Sequence, residues 1–230
     1  GAPVLPHFDA AFGKGPSRRQ RSEAGEVCVL GMEPNPKHLF RLKALESFYG
    51  SKGWKVHFYP AAASNESGKL VFTGRDPKGF EQPEFMGGHV FREAEAGQGA
   101  GWAAGDYKKE NCVVPAMDFP KFVRELPKGS VKFMKMDIEG AEYDILDRMI
   151  PERLFCQDVV KALNMEAHRP GVDNNLDGIE KRLKAQSCQP PEFFKFDDEW
   201  YPKDETNDDR KMMEQRYNEK GFRDNFHDIN

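Results

Sequence analysis

The sequence predicts an α/β fold built on a mostly parallel sheet, with helices on both faces and an antiparallel strand at one edge. Short apolar runs typical of buried strands alternate along the chain with segments whose apolar residues recur at helical spacing. That alternation is typical of βαβ units, in which consecutive strands are parallel and helices cover the sheet. The last strand-like run, residues 191–201, is followed only by charged sequence, and we expect it to be the antiparallel edge.

The clearest strand-to-helix unit lies at residues 130–150. An apolar run gives way to an acidic turn, and the apolar residues Ile145, Leu146, Met149 and Ile150 then follow at helical spacing. Ligands of open α/β sheets bind in the crevice beyond the carboxyl ends of the strands. The acidic turn is therefore a candidate ligand site, and its acids are Asp137, Glu139 and Glu142.

The N-terminal part contains two features suited to a nucleotide-like ligand. A short apolar lead ends in Asp9 and is followed by Gly13 and Gly15, which would let the backbone approach a ligand closely, although such glycines also occur in ordinary loops. A second strand, 26–32, ends at Glu33, about 20 residues after the glycines. An acid at this position holds ribose hydroxyls in many α/β folds, and a surface carboxylate is the alternative interpretation.

The next segments continue the strand and helix alternation. Asn35 is expected to cap a helix at 37–49. A third strand, 54–59, leads into a run of small residues that includes Ala61 and Ala62. A flat ring could lie against the backbone there.

The middle of the chain departs from the simple alternation. Residues 69–73 begin an antiparallel excursion, and residues 74–110, rich in glycine, proline and charge, are predicted to form an irregular insertion or a lid. Residues 111–118 are predicted to form a short edge strand, whose last residue, Asp118, caps the following helix.

The C-terminal part supplies one more strand, one more helix and a tail. The strand at 159–168 ends at His168, close to Glu166, and the helix covers 174–184. Residues 203–230 are highly charged and have no apolar face large enough to join a core, so we expect an exposed helix or a mobile tail.

Composition narrows the range of partners. A chain of 230 residues suits one α/β domain, and its net charge of −4, with acids and bases well mixed, argues against nucleic acid or an anionic membrane surface. No run approaches the roughly 18 apolar residues of a membrane span. The cysteine spacing favours thiols over a metal site and leaves disulfides open; the cysteines are Cys28, Cys112, Cys156 and Cys188.

Three stretches of the chain together carry a resemblance to a known family. They read MEPNP at 32–36, PAAAS at 60–64 and KMDIEGAEYDIL at 135–146. In order and approximate spacing they resemble the FkbM family of S-adenosylmethionine-dependent methyltransferases, and PAMD at 115–118 and FDDEWY at 196–201 are similar to further segments of that family. The resemblance extends over about residues 8–201 and implies a Rossmann-like class I methyltransferase fold for the domain at 1–202.

The resemblance also implies an activity and a set of roles. The implied reaction moves a methyl group from S-adenosylmethionine to a hydroxyl oxygen of a sugar, a polyketide-like compound or another small-molecule or glycan acceptor. Asp137 would lie close to the amino group and methyl of the donor, and Glu33 would accept hydrogen bonds from its ribose. The methionine portion would be held by Asp9, Gly13 and Gly15, and the adenine would lie near Ala61 and Ala62.

The acceptor hydroxyl needs a group that removes its proton. The candidate base is His168, because a histidine at a strand end can titrate near neutral pH and would face the same crevice; an exposed histidine in a turn is the alternative. His38 is expected on a helix surface and His57 on a strand face.

The acidic turn has a competing use as a metal site. Asp137 and Glu139 could bind Mg²⁺ or Ca²⁺ through carboxylate oxygens, but acids also favour the beginning of a helix for purely electrostatic reasons. The sequence favours the second interpretation, so a divalent metal is not favoured, and whether one is needed stays open.

Two other functions fit parts of the sequence. The first motif of the family usually reads D-x-G-x-N-x-G, whereas residues 9–15 read DAAFGKG. A non-catalytic binding or scaffold protein with a degenerate donor site is therefore the main alternative. A metal-dependent hydrolase that uses the acids is the second, and the chain lacks both a nucleophile elbow and an HExxH pattern.

Overall fold

The computed structural model of the protein describes residues 12, 20, 25–51, 53–76, 89–91, 108–166, 168 and 176–194. All of them lie in the larger of the two units into which the chain divides, Phe8–Phe196. Three expectations fall wholly or mostly outside the described residues. They concern the N-terminal motif with Asp9, Gly13 and Gly15, most of the insertion at 74–110, and the tail at 203–230.

The described strands form three hydrogen-bonded groups. Strands β1 and β2 make one pair, β3, β6, β4 and β5 make a four-stranded sheet in that order, and β7, β8 and β9 make a three-stranded sheet. The strands are β1 Cys28–Met32, β2 Lys55–Tyr59, β3 Ala62–Ser64, β4 Gly68–Asp76, β5 His89–Phe91, β6 Lys108–Asp118, β7 Met134–Met136, β8 Ala162–Met165 and β9 Glu192–Phe194.

The helices lie between these strands, as the alternating pattern predicts. They are a 3₁₀ turn Pro36–His38 and the α-helices α1 Leu39–Gly50, α2 Phe119–Glu125, α3 Glu142–Met149 and α4 Leu176–Lys184. No helix in these parts of the chain has the length and apolar character needed to cross a membrane.

Parallel pairing dominates, but the antiparallel strand is not where the sequence predicts it. The pairs β1–β2, β3–β6, β7–β8 and β8–β9 are parallel, whereas β4 pairs antiparallel with both β5 and β6. The prediction of an antiparallel last strand was wrong for β9, because α4 intervenes between β8 and β9 and returns the chain to the end at which β8 began.

The segment at 111–118 also differs from the prediction. It belongs to β6, a strand of 11 residues that lies between β3 and β4 and so is not an edge strand. The first residues of β6, from Lys108 to Asn111, pair with β4. Because all four are polar or charged, they show no apolar periodicity from which a strand could be predicted.

The main core lies where β7 and β8 meet α3 and α4. Ile145, Leu146 and Met149 of α3 are fully buried, which confirms the inward face predicted for that helix, and Phe155 and Leu163 join them in one cluster. Truncating one of these side chains to alanine would cost about 2–5 kcal/mol of stability. The strands β7 and β8, whose ends lead to the acidic residues, are therefore anchored in a well-packed core.

The two predicted helix caps had different outcomes. Asp118 caps α2 as predicted, because its Oδ1 accepts the backbone N–H of Lys121 at 2.9 Å. Asn35 does not cap α1 with its side chain. Its carbonyl accepts the N–H of His38 at 3.1 Å, and so it begins the 3₁₀ turn that precedes α1.

Candidate active site

A pocket of about 200 Å³ is lined by the end of β1, the first residues of β3 and the turn after β7. These segments are far apart in sequence and belong to different hydrogen-bonded groups of strands, yet they meet at this pocket. Its walls are Met32, Glu33, Pro34, Asn35, His38, Ala62, Ala63, Phe72, Val90, Asp137, Ile138 and Glu139.

Glu33 stands at the tip of β1 in a fixed orientation. Its backbone N–H donates to the carbonyl of Tyr59 at 3.1 Å, which extends the pairing of β1 with β2 by one residue. One carboxylate oxygen accepts the N–H of Asn35 at 2.8 Å, and the other lies 3.3 Å from Nδ1 of His38. The carboxylate is thus held against its own loop, with one edge toward the pocket.

The opposite wall is made of small and apolar residues. Ala62 and Ala63 of β3 are buried and line the pocket, and Phe72 and Val90 from β4 and β5 lie beside them. Ala61 is buried as well, but it precedes β3 and is not part of the wall. Because alanine has only a Cβ, this wall leaves room for a flat group against the strand.

The turn after β7 carries the acidic wall. Asp137 follows β7 directly, and its carboxylate lies 3.2 Å from Nζ of Lys135, with which it forms an ion pair. Glu139 and Gly140 have positive φ of 56° and 112°. A left-handed Glu139 is a strained conformation that tends to occur at functional sites.

A histidine joins this turn from the neighbouring strand. The N–H of Glu166 donates to the carbonyl of Met136 at 3.0 Å, so the ends of β7 and β8 lie side by side. Two residues further on, His168 places Nε2 3.0 Å from Oε1 of Glu166 and Nδ1 3.3 Å from Oε1 of Glu142. Nδ1 is also 4.0 Å from Oδ1 of Asp137.

The carboxylates around His168 change its protonation. The hydrogen bond with Glu142 is the largest cause, and the negative charges of Glu139, Glu142 and Glu166 act in the same direction, whereas burial opposes them. Together they raise the pKa of His168 from 6.5 to about 9. The expectation that His168 titrates near neutral pH was therefore wrong, and at pH 7 the imidazole is predominantly positively charged.

Glu142 is the fully buried member of this group. It is 0% exposed at the first residue of α3, and it accepts the N–H groups of Ile138 at 3.0 Å and of Gly140 at 2.9 Å. Buried carboxylates are costly unless they are hydrogen-bonded or paired with charge, and here both conditions are met.

A possible metal-binding group exists, but with a different composition from the predicted pair. One ligand atom from each of Asp137, Glu166 and His168 lies within 4.8 Å of the others, which is close enough to hold a metal ion. Glu139, which the sequence paired with Asp137, is not in this group and instead lines the pocket.

The structure brings together three of the residues predicted to bind the donor: Glu33, Ala62 and Asp137. Their roles stay predictions, as does that of His168, which is adjacent to Asp137 but is not a wall residue. Ala61 lies next to the wall, and Asp9, Gly13 and Gly15 lie outside the described residues.

The sequence interpretation missed several wall residues. His38 was expected on a helix surface, yet it faces Glu33 from the 3₁₀ turn, because that turn replaces the first turn of the expected helix. Phe72 and Val90 belong to β4 and β5, and no local pattern in the sequence predicts which strands these two pair with. Ala63 and Ile138 directly follow the predicted residues Ala62 and Asp137, and this position in the sequence was the signal that could have indicated them.

The comparisons with known proteins give one match. The model of the methyltransferase FkbM domain matches residues 10–199 of this chain. No curated protein and no solved structure matches this chain.

Proposed function

The chain belongs to the methyltransferase FkbM domain family, and on that premise we propose that it transfers a methyl group from S-adenosylmethionine to a hydroxyl oxygen of a sugar, a polyketide-like compound or another small acceptor. One observation carries the proposal. The carboxylate of Glu33, the small wall of Ala62 and the acidic turn at Asp137 line a single pocket, and His168 adjoins it.

The chemistry of the pocket walls fits the donor. A ribose diol donates hydrogen bonds, and Glu33 offers carboxylate oxygens that are already oriented by Asn35. The faces of an adenine ring are flat and can pack on apolar side chains, which suits the buried Ala62 and Ala63 with Phe72 beside them. A positively charged amino group suits Asp137. When bound, the donor supplies a methyl group that is already activated by its positive sulfur.

The protein's own contribution is then orientation and removal of a proton. Methylation of a hydroxyl oxygen releases the proton of that hydroxyl, and we assign its acceptance to Nε2 of His168. The raised pKa makes the neutral imidazole a stronger base and at the same time a rarer one at neutral pH. Asp137 and Glu166, beside the ring, favour the imidazolium that results.

We assign no metal to this reaction. A metal at Asp137, Glu166 and His168 would have to displace the proton of His168, whose raised pKa of about 9 makes that competition unfavourable at pH 7. Asp137 also has a cationic partner in Lys135. Turnover should therefore persist in EDTA. Activity that is lost in EDTA and returns only on addition of Mg²⁺ or Mn²⁺ would contradict this assignment.

Calorimetry on the full chain tests the proposal most directly. S-adenosylmethionine and S-adenosylhomocysteine should both bind, and a panel of hydroxyl acceptors should then be screened for release of S-adenosylhomocysteine. Absence of binding at millimolar donor would overturn the proposal and favour a binding or scaffold protein with a degenerate donor site. Donor binding together with acceptor-dependent release would support it.

A further inference from the structure

A single buried carboxylate ties together the two strand ends that carry the proposed catalytic groups. Glu142 accepts Ile138 N–H and Gly140 N–H from the turn after β7, and it contacts Nδ1 of His168 after β8. The two segments also pack closely, since a Cβ added at Gly140 would lie 3.3 Å from the carbonyl oxygen of His168. The position of the imidazole therefore depends on the same residue that shapes the acidic turn.

The two carboxylates that flank the ring are not equivalent. The side chain of Glu142 is 0% exposed, so water cannot replace a lost donor there. Glu166, on the Nε2 side, keeps 15% of its exposure and can be partly hydrated. Removing the proton from Nδ1 would set a lone pair against a buried anion, which is the more costly choice. The exchangeable proton of His168 is therefore the one on Nε2.

We propose that Glu142 is a positioning residue of the active site. Its carboxylate accepts the Nδ1–H of His168, and this holds the ring with Nε2 directed toward Glu166 and the crevice. The effect expected on turnover rests on the function proposed above. The arrangement of the ring itself does not depend on that function, and it can be measured in the absence of any substrate.

The first test is spectroscopic and uses the wild-type chain. In ¹⁵N-histidine-labelled protein at pH 7, the Nδ1 proton of His168 should be downfield and protected from exchange with water, because a buried carboxylate accepts it. The signal is assigned by its absence in His168→Gln. Exchange as fast as that of surface histidines would overturn the proposal.

The second test uses Glu142→Gln, with Asp144→Asn as a matched control on the same helix. Asp144 is exposed in the first turn of α3, so its substitution removes the same charge without touching the ring. Glu142→Gln should shift the Nδ1 proton upfield and speed its exchange at least about tenfold, and Asp144→Asn should leave both unchanged. If Glu142→Gln does not fold, Glu142→Asp, which keeps the charge but shortens the reach, should produce the same change. An unaltered signal in the folded variant would contradict the role.

Kinetic measurements then separate two roles of Glu142, which are to position His168 and to support the turn after β7. Glu142→Gln should lower kcat about 10–100-fold and leave the Kd of the donor within about threefold, because Glu142 itself does not line the pocket and Gln keeps the size of the side chain that supports the turn. Adding it to His168→Gln should cause no further loss of kcat, since Glu142 acts through that ring. Parallel losses in donor affinity, or additive losses of kcat, would assign Glu142 to the turn alone. If no acceptor is ever methylated, the proposed function fails while the spectroscopic result stands independently.

Discussion

The imidazole of His38 lies 3.3 Å from the carboxylate of Glu33, across one wall of the pocket. Asn35 joins the pair, with its N–H on Glu33 at 2.8 Å and its side-chain amide 3.4 Å from Nε2 of His38. A single loop of six residues thus contributes an oriented acid and the histidine that faces it. The proposed ribose site is built almost entirely from the tip of β1.

The first prediction concerns this acid. Glu33→Gln keeps the shape of the side chain and removes its charge, so charge-assisted hydrogen bonds to a ribose diol would be lost. We expect the Kd of S-adenosylhomocysteine to rise about 5–30-fold, which corresponds to about 1–2 kcal/mol. Calorimetry measures this, with Glu125→Gln as the control, because Glu125 is an exposed acid of α2 outside the pocket. Equal affinities in both variants would remove Glu33 from the donor site.

The second prediction concerns Asp137. Its carboxylate lies at the pocket, it is 31% exposed and it pairs with the exposed Lys135, so its removal should not disturb the core. We expect Asp137→Ala to reduce turnover at least about 100-fold, while the thermal midpoint changes by less than about 3 °C. Asp158→Ala is the matched control, because Asp158 is an exposed aspartate that pairs with Lys128 at 2.6 Å. Turnover that survives in Asp137→Ala would exclude a catalytic role.

The sequence predicted those parts of the fold that depend on local periodicity. The inward face of α3 and the cap at Asp118 depend on residues within a turn or two of one another, and both were predicted correctly. The positions of β6 and β9 were not, because their neighbours are chosen by pairing between distant segments. Pairing partners leave little trace in the sequence when a strand is as charged as the first part of β6.

The same division holds at the site. Glu33, Ala62 and Asp137 could be found because each follows a recognisable strand in the sequence, and strand ends converge in this class of fold. The pKa of His168 could not be found in this way. It depends on Glu142, which is 26 residues away in sequence and appeared to be one of several acids at a helix beginning. Only the packing of α3 against β8 reveals that this acid is buried beneath the ring.

The third prediction concerns a disulfide that the sequence left open. Cys156 and Cys188 are bonded, with a separation of 32 residues, whereas Cys28 and Cys112 are thiols outside it. The bond joins the segments that precede β8 and β9, at the end of the sheet opposite Glu166. Loop closure of this length contributes about 3–4 kcal/mol, so reduction should lower the thermal midpoint by roughly 10 °C and leave donor affinity unchanged.

Calorimetric melting with and without a phosphine reductant checks the disulfide prediction. Cys156→Ala/Cys188→Ala should melt at the lower temperature in both conditions, because nothing is left to reduce. Cys28→Ser should melt like the wild type and keep the response to reductant, since Cys28 is exposed and outside the bond. A wild-type midpoint that ignores the reductant would contradict the prediction.

The fourth prediction is the dependence of stability on pH. The pKa of His168 is about 9 in the folded protein against 6.5 as its ordinary value, so the folded state binds this proton more tightly. The resulting stabilisation is complete below about pH 6.5 and is lost as the pH rises through 9. Its size is on the order of 3 kcal/mol. Urea unfolding at pH 6.5 and 9.5 should show a loss that is larger in the wild type than in His168→Gln by that amount, and equal losses would refute it.

The fifth prediction follows the same proton into catalysis. If neutral His168 accepts the proton of the acceptor hydroxyl, kcat should rise about tenfold per pH unit from pH 7 and level off above about pH 9, because only about 1% of the ring is neutral at pH 7. The groups that face the ring are Asp137, Glu139, Glu142 and Glu166, with Lys135 beyond Asp137. His168→Gln should lower kcat at pH 9 at least about 100-fold and abolish the slope, while donor affinity stays within threefold of the wild type. Asp144→Asn should keep the full profile. A flat wild-type profile between pH 6 and 9 would rule out His168 as the base, because the neutral fraction of its ring rises steeply through that interval.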